Sequence, residues 1–387
     1  MKIRINAEVL TEAVAWAARS LPARPSMPLL AGLLIHAEGD CVTMSSFDYE
    51  NSAKITVPAD VSDEGTVLVS GKLLDAISRS LPHKPVELNS DDSAVQLVCG
   101  SARFTLQTLP VDEYPALPNM PTASGTVDSD LFAEAVNQVV VAAGRDELMP
   151  VFTGVRVEIE DDTLSFLATD RYRMALKEIA WNPTSTQSSG AALVPAKMLS
   201  EAAKSMANGE EITIAISQSD GSGDGLIGLI GEGINGKREM TTRLLGGEFP
   251  KVRHLMDVKA TVTVRAKTDD LIAAVKRVSL VAERNTPLRM LIAEDQVALE
   301  AATGDQAQGS EAVAAVVENM VAGDMSLSAA GFNPHYLQDA LSALRTPYVS
   351  FAFTAPGKPC LVQGLESLDE TPVADYRHVI MLMRLPN

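Results

Sequence analysis

The sequence predicts an α+β protein made of three tandem repeats of a similar two-helix, antiparallel-sheet domain. Three observations predict it. Sliding the chain by 122 positions lays residues 47–53 (F-D-Y-E-N-S-A) on residues 169–175 (T-D-R-Y-R-M-A), with Asp48 on Asp170 and Ala53 on Ala175. The same shift, without a gap, sets Ala13-Val14 on Ala135-Val136, Pro28 on Pro150 and Gly32 on Gly154. A third copy fits with a small deletion, Ala274-Val275 matching Ala13-Val14 and Gly304-Asp305-Gln306 matching the two Asp turns. A period of roughly 125 residues is far beyond a solenoid repeat and close to the size of one domain. The expected domains are 1–120, 127–255 and 260–387.

The first repeat opens with a strand over Lys2–Asn6, alternating as a half-buried strand does. Leu10, Ala13, Val14, Ala17 and Leu21 then recur at helical spacing until Pro22 ends the helix. Strand-like runs follow over 29–37, 41–46, 52–57 and 65–70. A second helix carries Leu73, Leu74, Ile77 and Leu81 as its apolar stripe, with Lys72 and Arg79 off it. Runs over 86–88, 94–99 and 102–107 complete the order: strand, helix, four strands, helix, three or more strands.

Residues 110–121 hold four prolines and little periodicity, so they read as a linker. The pattern restarts with Leu131, Ala135, Val136, Val139 and Val140, then strands over 155–159 and 163–168 leading into the 169–175 turn. A helix over 196–207 carries Lys197 and Lys204. The third pass begins near Thr261, with one helix over Leu271, Ala274, Val275 and Val278 and another over Tyr336, Leu337, Ala340, Leu341 and Leu344. Short connections imply antiparallel strands.

Composition suits a soluble protein with several cores: of 387 residues, 46% are hydrophobic and 21% charged. No run approaches the ~18 apolar residues of a membrane span, and M-K-I-R-I-N lacks a signal peptide's apolar segment, so a cytoplasmic location and no membrane partner are expected. Cys41, Cys99 and Cys360 have neither zinc nor disulfide spacing and read as small buried hydrophobes. A net charge of −18 argues against general nucleic-acid affinity, which clustered Lys and Arg supply, so the placement of the 32 basic residues matters more than their sum.

Catalytic and cofactor chemistry finds little support. Gly223-x-Gly225-x-x-Gly228 fits a dinucleotide pattern, but a β-like run over 226–230 follows where a helix must open. Residues 231–237 (G-E-G-I-N-G-K) resemble a phosphate loop, yet Arg238 stands where the magnesium-binding hydroxyl belongs. Glu158, Glu160, Asp161 and Asp162 read as a solvated strand end, and Asp48 and Asp170 as caps of their own turns. The five histidines show no metal spacing and no partnered nucleophile. The chain is expected to be no enzyme and to need no cofactor or metal.

Five segments in order, L-P-A-R-P-S-M-P-L-L (21–30), T-D-R-Y-R-M-A, R-L-L-G-G-E-F-P (243–250), F-N-P-H-Y-L (332–337) and M-L-M-R-L (381–385), resemble the bacterial DNA polymerase III β subunit family, the sliding clamps, in an actinobacterial-like form. The resemblance spans the whole chain. It implies the DNA clamp fold: a head-to-tail homodimeric ring of six domains, helices lining the hole, encircling duplex DNA without reading sequence. It implies as partners the replicative DNA polymerase, the clamp loader and other clamp-binding proteins, which dock short peptide motifs and gain processivity. Arg24 matches a family DNA-contact position; Lys72, Arg79, Arg145, Lys197, Lys204, Lys276, Arg277 and Arg284 join it by placement beside the helices.

The resemblance implies ring closure through Phe104 and Leu106 on one side and Leu280 and Val281 on the other, residues that could equally belong to each domain's own core. It implies a partner-peptide pocket of Phe152, Thr169, Arg171, Tyr172, Arg173, Met174, Pro250, His254, Leu255, Asn333, Tyr336, Pro359, Val379, Met381, Leu382, Met383, Arg384 and Leu385. Methionines would make an adaptable wall, while Arg173 and Arg384 would offer donors to the peptide. Met381, Met383 and Leu385 also alternate as any terminal strand would. Leu382 stands where the family usually has proline, and Arg171 and His254 fall at variable rim positions; altered peptide affinity and tolerance of peptide-like inhibitors are expected from this. The alternatives are a repeat-built protein-binding scaffold that does not encircle DNA, and an enzyme with a site at a domain boundary, for which no converging acid, base or metal cluster is found.

Overall fold

In the computed structural model, which describes every residue except 92, 186–188, 218–224, 284–285, 305, 320–326 and 386–387, the same order of elements returns three times. Helices α1 (Ala7–Ala17) and α2 (Gly71–Ser78) belong to the first pass, α3 (Ser129–Val140) and α4 (Ala196–Ser205) to the second, α5 (Thr268–Val278) and α6 (Pro334–Ala343) to the third. Asn6 caps α1 by accepting from the Glu8 N–H at 2.8 Å, and Asp128 does the same for α3 from Asp130 and Leu131 at 3.0 and 2.9 Å. The expected stripes Leu10, Ala13, Val14, Ala17 and Leu271, Ala274, Val275, Val278 are buried.

Two helix stripes differ from expectation. Leu73 and Leu131 are exposed, while their neighbours Leu74 and Phe132 are buried. Adjacent helical residues point about 100° apart, so only one of each pair can face the core. Leu81 lies beyond the end of α2 at Ser78. The third match of the repeated turn includes Asp305, and the glycine pattern includes residues 223 and 224, all outside the described residues; a strand, Leu226–Gly233, does follow.

Among the described residues five strands, not four, separate the helices of the first two repeats. Pro58 accounts for the extra one in the first repeat: proline removes a ladder N–H, and the chain breaks into Asn51–Pro58 plus Asp60–Asp63; in the second the break falls at Trp181, between Arg173–Ala180 and Asn182–Pro183. Repeat three has no proline there, and Ala307–Asn319 runs as one 13-residue strand, with four strands between the helices among the described residues. At the start of the predicted 29–37 run, Pro28–Ala31 forms a helical turn and the strand begins at Gly32. Cys99 and Cys360 are buried, and burial pushes the Cys360 thiol up; Cys41 is only half-buried, since it sits at a strand end.

The strands form two antiparallel sheets, each within its own compact unit. One unit comprises Met1–Ala133, Trp181–Ser188 and Glu201–Leu244 around a 14-stranded sheet; the other comprises Glu134–Ala180, Ser189–Ser200 and Leu245–Asn387 around a 12-stranded sheet. A seam between repeats runs through each sheet. In the first, the fourth strand of repeat one, Asn51–Pro58, pairs with the last strand of repeat two, Gly236–Arg243, setting Ser52 opposite Thr241 and Ala53 opposite Met240. In the second, the fourth strand of repeat two, Arg173–Ala180, pairs with the last strand of repeat three, Tyr376–Ile380, setting Met174 opposite Val379 and Ala175 opposite His378.

Two strands with these same roles keep an open edge among the described residues. The last strand of repeat one, Ala102–Leu109, pairs over 102–107 only with Ala94–Cys99. The fourth strand of repeat three pairs over 307–314 only with Gln296–Thr303.

Candidate functional site

The turn at 169–175 is held by its own side chains. Asp170 Oδ1 accepts from the Tyr172 and Arg173 N–H groups at 2.9 and 3.0 Å, and Thr169 Oγ1 donates to the Arg173 carbonyl at 2.7 Å. Arg171 is thereby fixed at φ +80°, a left-handed conformation unusual for arginine. Its guanidinium lies 5.5 Å from the Phe152 ring and 5.7 Å from the Tyr172 ring. Tyr172 stacks on Tyr336 with centroids 6.5 Å apart.

The end of the chain lies along this turn. Met381 N–H donates to the Tyr172 carbonyl and Met383 N–H to the Gly331 carbonyl, both at 2.8 Å. Glycine at 331 leaves room for this close approach, since an added Cβ would fall 2.7 Å from the Met383 oxygen. Beneath lies an apolar cluster of Leu167, Met174, Leu176, Leu193, Phe249, Met256, Leu361 and Val379, with Leu255 and Met381 packed on its margin.

Two concavities flank these residues. A cleft of about 540 Å³ is lined by Phe152, Arg171, Tyr172, Arg173 and Tyr336 from the expected set, together with Ala143–Asp146, Met149, Asp170, His335 and Asp339. A groove of about 520 Å³ includes Pro250 and His254. Leu382, Met383, Leu385 and Pro359 are half-buried and Arg384 is exposed. Asn333 caps α6, its Oδ1 accepting from His335 and Tyr336 N–H groups at 3.0 and 3.3 Å.

Several expected contacts turn out to be supports. Thr169, Met174 and Val379 are buried and can only back the wall. Arg173 is buried and committed: Nε donates to Asp170 at 3.1 Å, Nη1 to Asp339 at 2.5 Å, and its guanidinium lies 4.4 Å from the Tyr336 ring centroid. It holds the turn to α6 while also lining the cleft. Asp339 was missed; its signal was the i,i+3 spacing from Tyr336 on α6. Glu158, expected on a solvated face, accepts from Arg156 Nε at 2.6 Å and lies 3.7 Å from Arg253.

Of the basic residues expected to meet DNA, Arg24, Lys72, Arg79, Arg145, Lys197, Lys204, Lys276 and Arg277 are exposed; Arg284 lies outside the described residues. Arg145 and Lys197 line one groove of about 410 Å³. Arg79 pairs with Asp75 and Arg277 with Glu311. At the open edges, Leu280 is 84% exposed and Phe104 half-buried, but Leu106 belongs to its own unit's core at 4%. Val281 abuts the edge strand: a Cβ added at Gly309 would lie 3.0 Å from its Cγ2. Among the described residues no helix is long and apolar enough to cross a membrane.

Family models of the DNA polymerase III beta subunit match the chain three times: the N-terminal domain over residues 1–118, the central domain over 126–251 and the C-terminal domain over 253–384. The chain belongs to the DNA polymerase III beta subunit family. The beta sliding clamp of Streptomyces coelicolor is 50% identical over 385 residues, covering 100% of both chains, and that of Micrococcus luteus is 47% identical over 318 residues, covering 82% of this chain and 100% of its own. This is a beta subunit of actinobacterial type with the three-domain DNA clamp fold. A crystal structure of the Pseudomonas aeruginosa clamp bound to griselimycin shares that fold with a TM-score of 0.87 at 22% identity, covering 100% of both chains.

Proposed function

We propose that two copies of this beta subunit close head to tail into a ring around duplex DNA, and that the ring tethers the replicative polymerase, the clamp loader and other DNA-processing proteins. Each copy supplies three domains, 1–120, 127–255 and 260–387, with α1–α6 facing the hole. The observation that carries the reading is the third, unmade seam: each chain closes the same fourth-strand-to-last-strand junction twice and leaves one strand of each kind with an open edge. A second copy, turned head to tail, satisfies both edges, and closed symmetry stops growth at the ring.

The register of this seam follows from the other two. Counting outward through strand partners from the residue that precedes each repeat's first helix, Phe104, Met240 and His378 occupy one position of the repeat. Ala53 and Ala175 occupy another, whose third member is Gly309. Met240 faces Ala53 and His378 faces Ala175, so Phe104 faces Gly309, a large side chain against a small one each time. Phe104 then lies over Val281, which abuts Gly309, and Leu280 loses its exposure. Thr105 and Gln308 correspond to the pair Thr241 and Ser52, whose hydroxyls are 2.6 Å apart. Cysteines at Thr105 and Gln308 should therefore form intersubunit disulfides. Cross-linking only by pairs shifted one residue would contradict the register, and none by any pair would contradict the ring.

Inside the ring, Arg24, Lys72, Arg145, Lys197, Lys204 and Lys276 meet phosphates, which position without specifying sequence. An outside carrying most of a −18 charge resists adventitious DNA contact. Partner peptides place an apolar end over the Met381 margin of the cluster and the remainder against Tyr172, Tyr336 and Arg171. This work is done on DNA in the cytoplasm and asks for no bond-making chemistry.

A further inference from the structure

Each closed seam holds a buried cation clasped to a carboxylate beside the first helix of its repeat; Arg173, also buried in the second seam, serves the turn instead. At the first it is Arg238, 7% exposed, paired with Glu12, its guanidinium 5.0 Å from the ring of Trp16 on α1. At the second it is Lys177, also 7% exposed, 2.7 Å from Asp375 and 3.5 Å from Glu134, while the opposite residue Tyr376 donates to the backbone carbonyl of Gln138 on α3 at 3.1 Å. Trp16 and Gln138 are one position of the repeat, 122 residues apart; the matched starts of α1 and α5 make Arg277 its third member. Arg238 lies opposite Ile55, and Tyr376 opposite Lys177. The same position of the open seam sets Glu311 against Ala102 of a second copy.

Arg277 and Glu311 already hold each other: Arg277 Nε and Nη2 donate to the two carboxylate oxygens at 2.8 and 2.5 Å, with the Arg277 side chain 61% exposed. We infer that Arg277–Glu311 is the charged clasp of the third seam, exposed in the single chain and enclosed beneath Ala102 of the second copy on ring closure, so that Arg277 serves the subunit interface and not DNA. The small Ala102 leaves room over a long arginine, where the closed seams set Arg238 over Trp16 and Tyr376 by Gln138. This departs from the DNA-contact role expected of Arg277 and rests on the ring reading above.

The test compares dimer dissociation constants by sedimentation for the native chain, Arg277→Ala, Glu311→Gln and the double variant Arg277→Met/Glu311→Leu, alongside the salt dependence of retention on circular duplex DNA. Removing one partner strands an enclosed charge, so each single variant should weaken the dimer about 100-fold or more, and the apolar double variant should recover to within about tenfold of native. Because Arg277 is exposed and Glu311 half-buried at the open edge of the single chain, the variants should keep its circular dichroism; Arg277→Lys, retaining charge but not the two-pronged contact, should fall between. A native-strength dimer of Arg277→Ala with a salt slope lower by about one would overturn the inference in favour of a phosphate contact. A native chain that is itself monomeric at micromolar concentration would fail the ring, a separate result visible before any variant is made.

Discussion

The turns at 47–53 and 169–175 are the same backbone put to different uses. Asp48 accepts from Glu50 and Asn51 N–H groups as Asp170 does from Tyr172 and Arg173, and Tyr49 at φ +75° matches Arg171 at +80°. Each receives the end of its seam by one equivalent bond: Arg243 N–H to the Glu50 carbonyl at 3.0 Å, and Met381 N–H to the Tyr172 carbonyl at 2.8 Å. The side chains differ, and so does the course of the chain beyond each seam. The first turn takes Arg243 Nε on the Tyr49 carbonyl and the Thr242 hydroxyl on Asn51 Oδ1, whereas the second stacks Tyr172 on Tyr336 and is bolted to α6 by Arg173. Duplication supplied a scaffold twice, and the candidate site lies in the residues that diverged.

The comparison can be broken most severely at the tail. Deleting Met381 to Leu385 should abolish binding of a clamp-binding peptide, a loss of at least about 100-fold by calorimetry, because the apolar margin goes with it, while sedimentation still shows the dimer. Next come the two caps. Asp48→Ala and Asp170→Ala should each cost about 1 to 2 kcal/mol in urea unfolding, but only Asp170→Ala, which also frees Arg173, should weaken the peptide, by roughly tenfold. Equal effects on the peptide would erase the distinction between the turns. A smaller change is Gly331→Ala, whose methyl meets the Met383 carbonyl and should lower peptide affinity severalfold by displacing the tail, with little change in stability.

A separate effect, on stability and not on peptide binding, distinguishes the seams by pH. His378, fully buried in the second seam, is lowered from 6.5 to about 3 by desolvation and then by Arg173, while its counterpart in the first seam, Met240, cannot titrate. The unfolded chain binds a proton below about 6.5 that the folded chain refuses until about 3, so stability should fall as pH drops through that window, by about 1.4 kcal/mol per unit at most. In His378→Gln the fall between pH 6.5 and 5 should be shallower in urea titrations; an unchanged slope would place the acid sensitivity elsewhere.

Much of this was legible in the sequence because the repeat was. The 122-residue shift located the turn, the helices and the matching of Asp48 with Asp170. What escaped depended on geometry that periodicity does not carry. Adjacent leucines at 73 and 74 gave no means of choosing the inward one. Arg173 read as a free donor since its partner Asp339 lies 166 residues away. The pairing of Arg277 with Glu311 escaped because a helix position alone does not reveal which strand lies beside it.

Ring closure is the central claim, and retention on DNA tests it most directly. The chain loaded onto closed circular duplex should stay bound through gel filtration in high salt and leave when one double-strand cut linearises the circle, because a ring is held by topology and not by affinity. Equal release from circular and linear DNA, or retention on linear DNA with free ends, would contradict it.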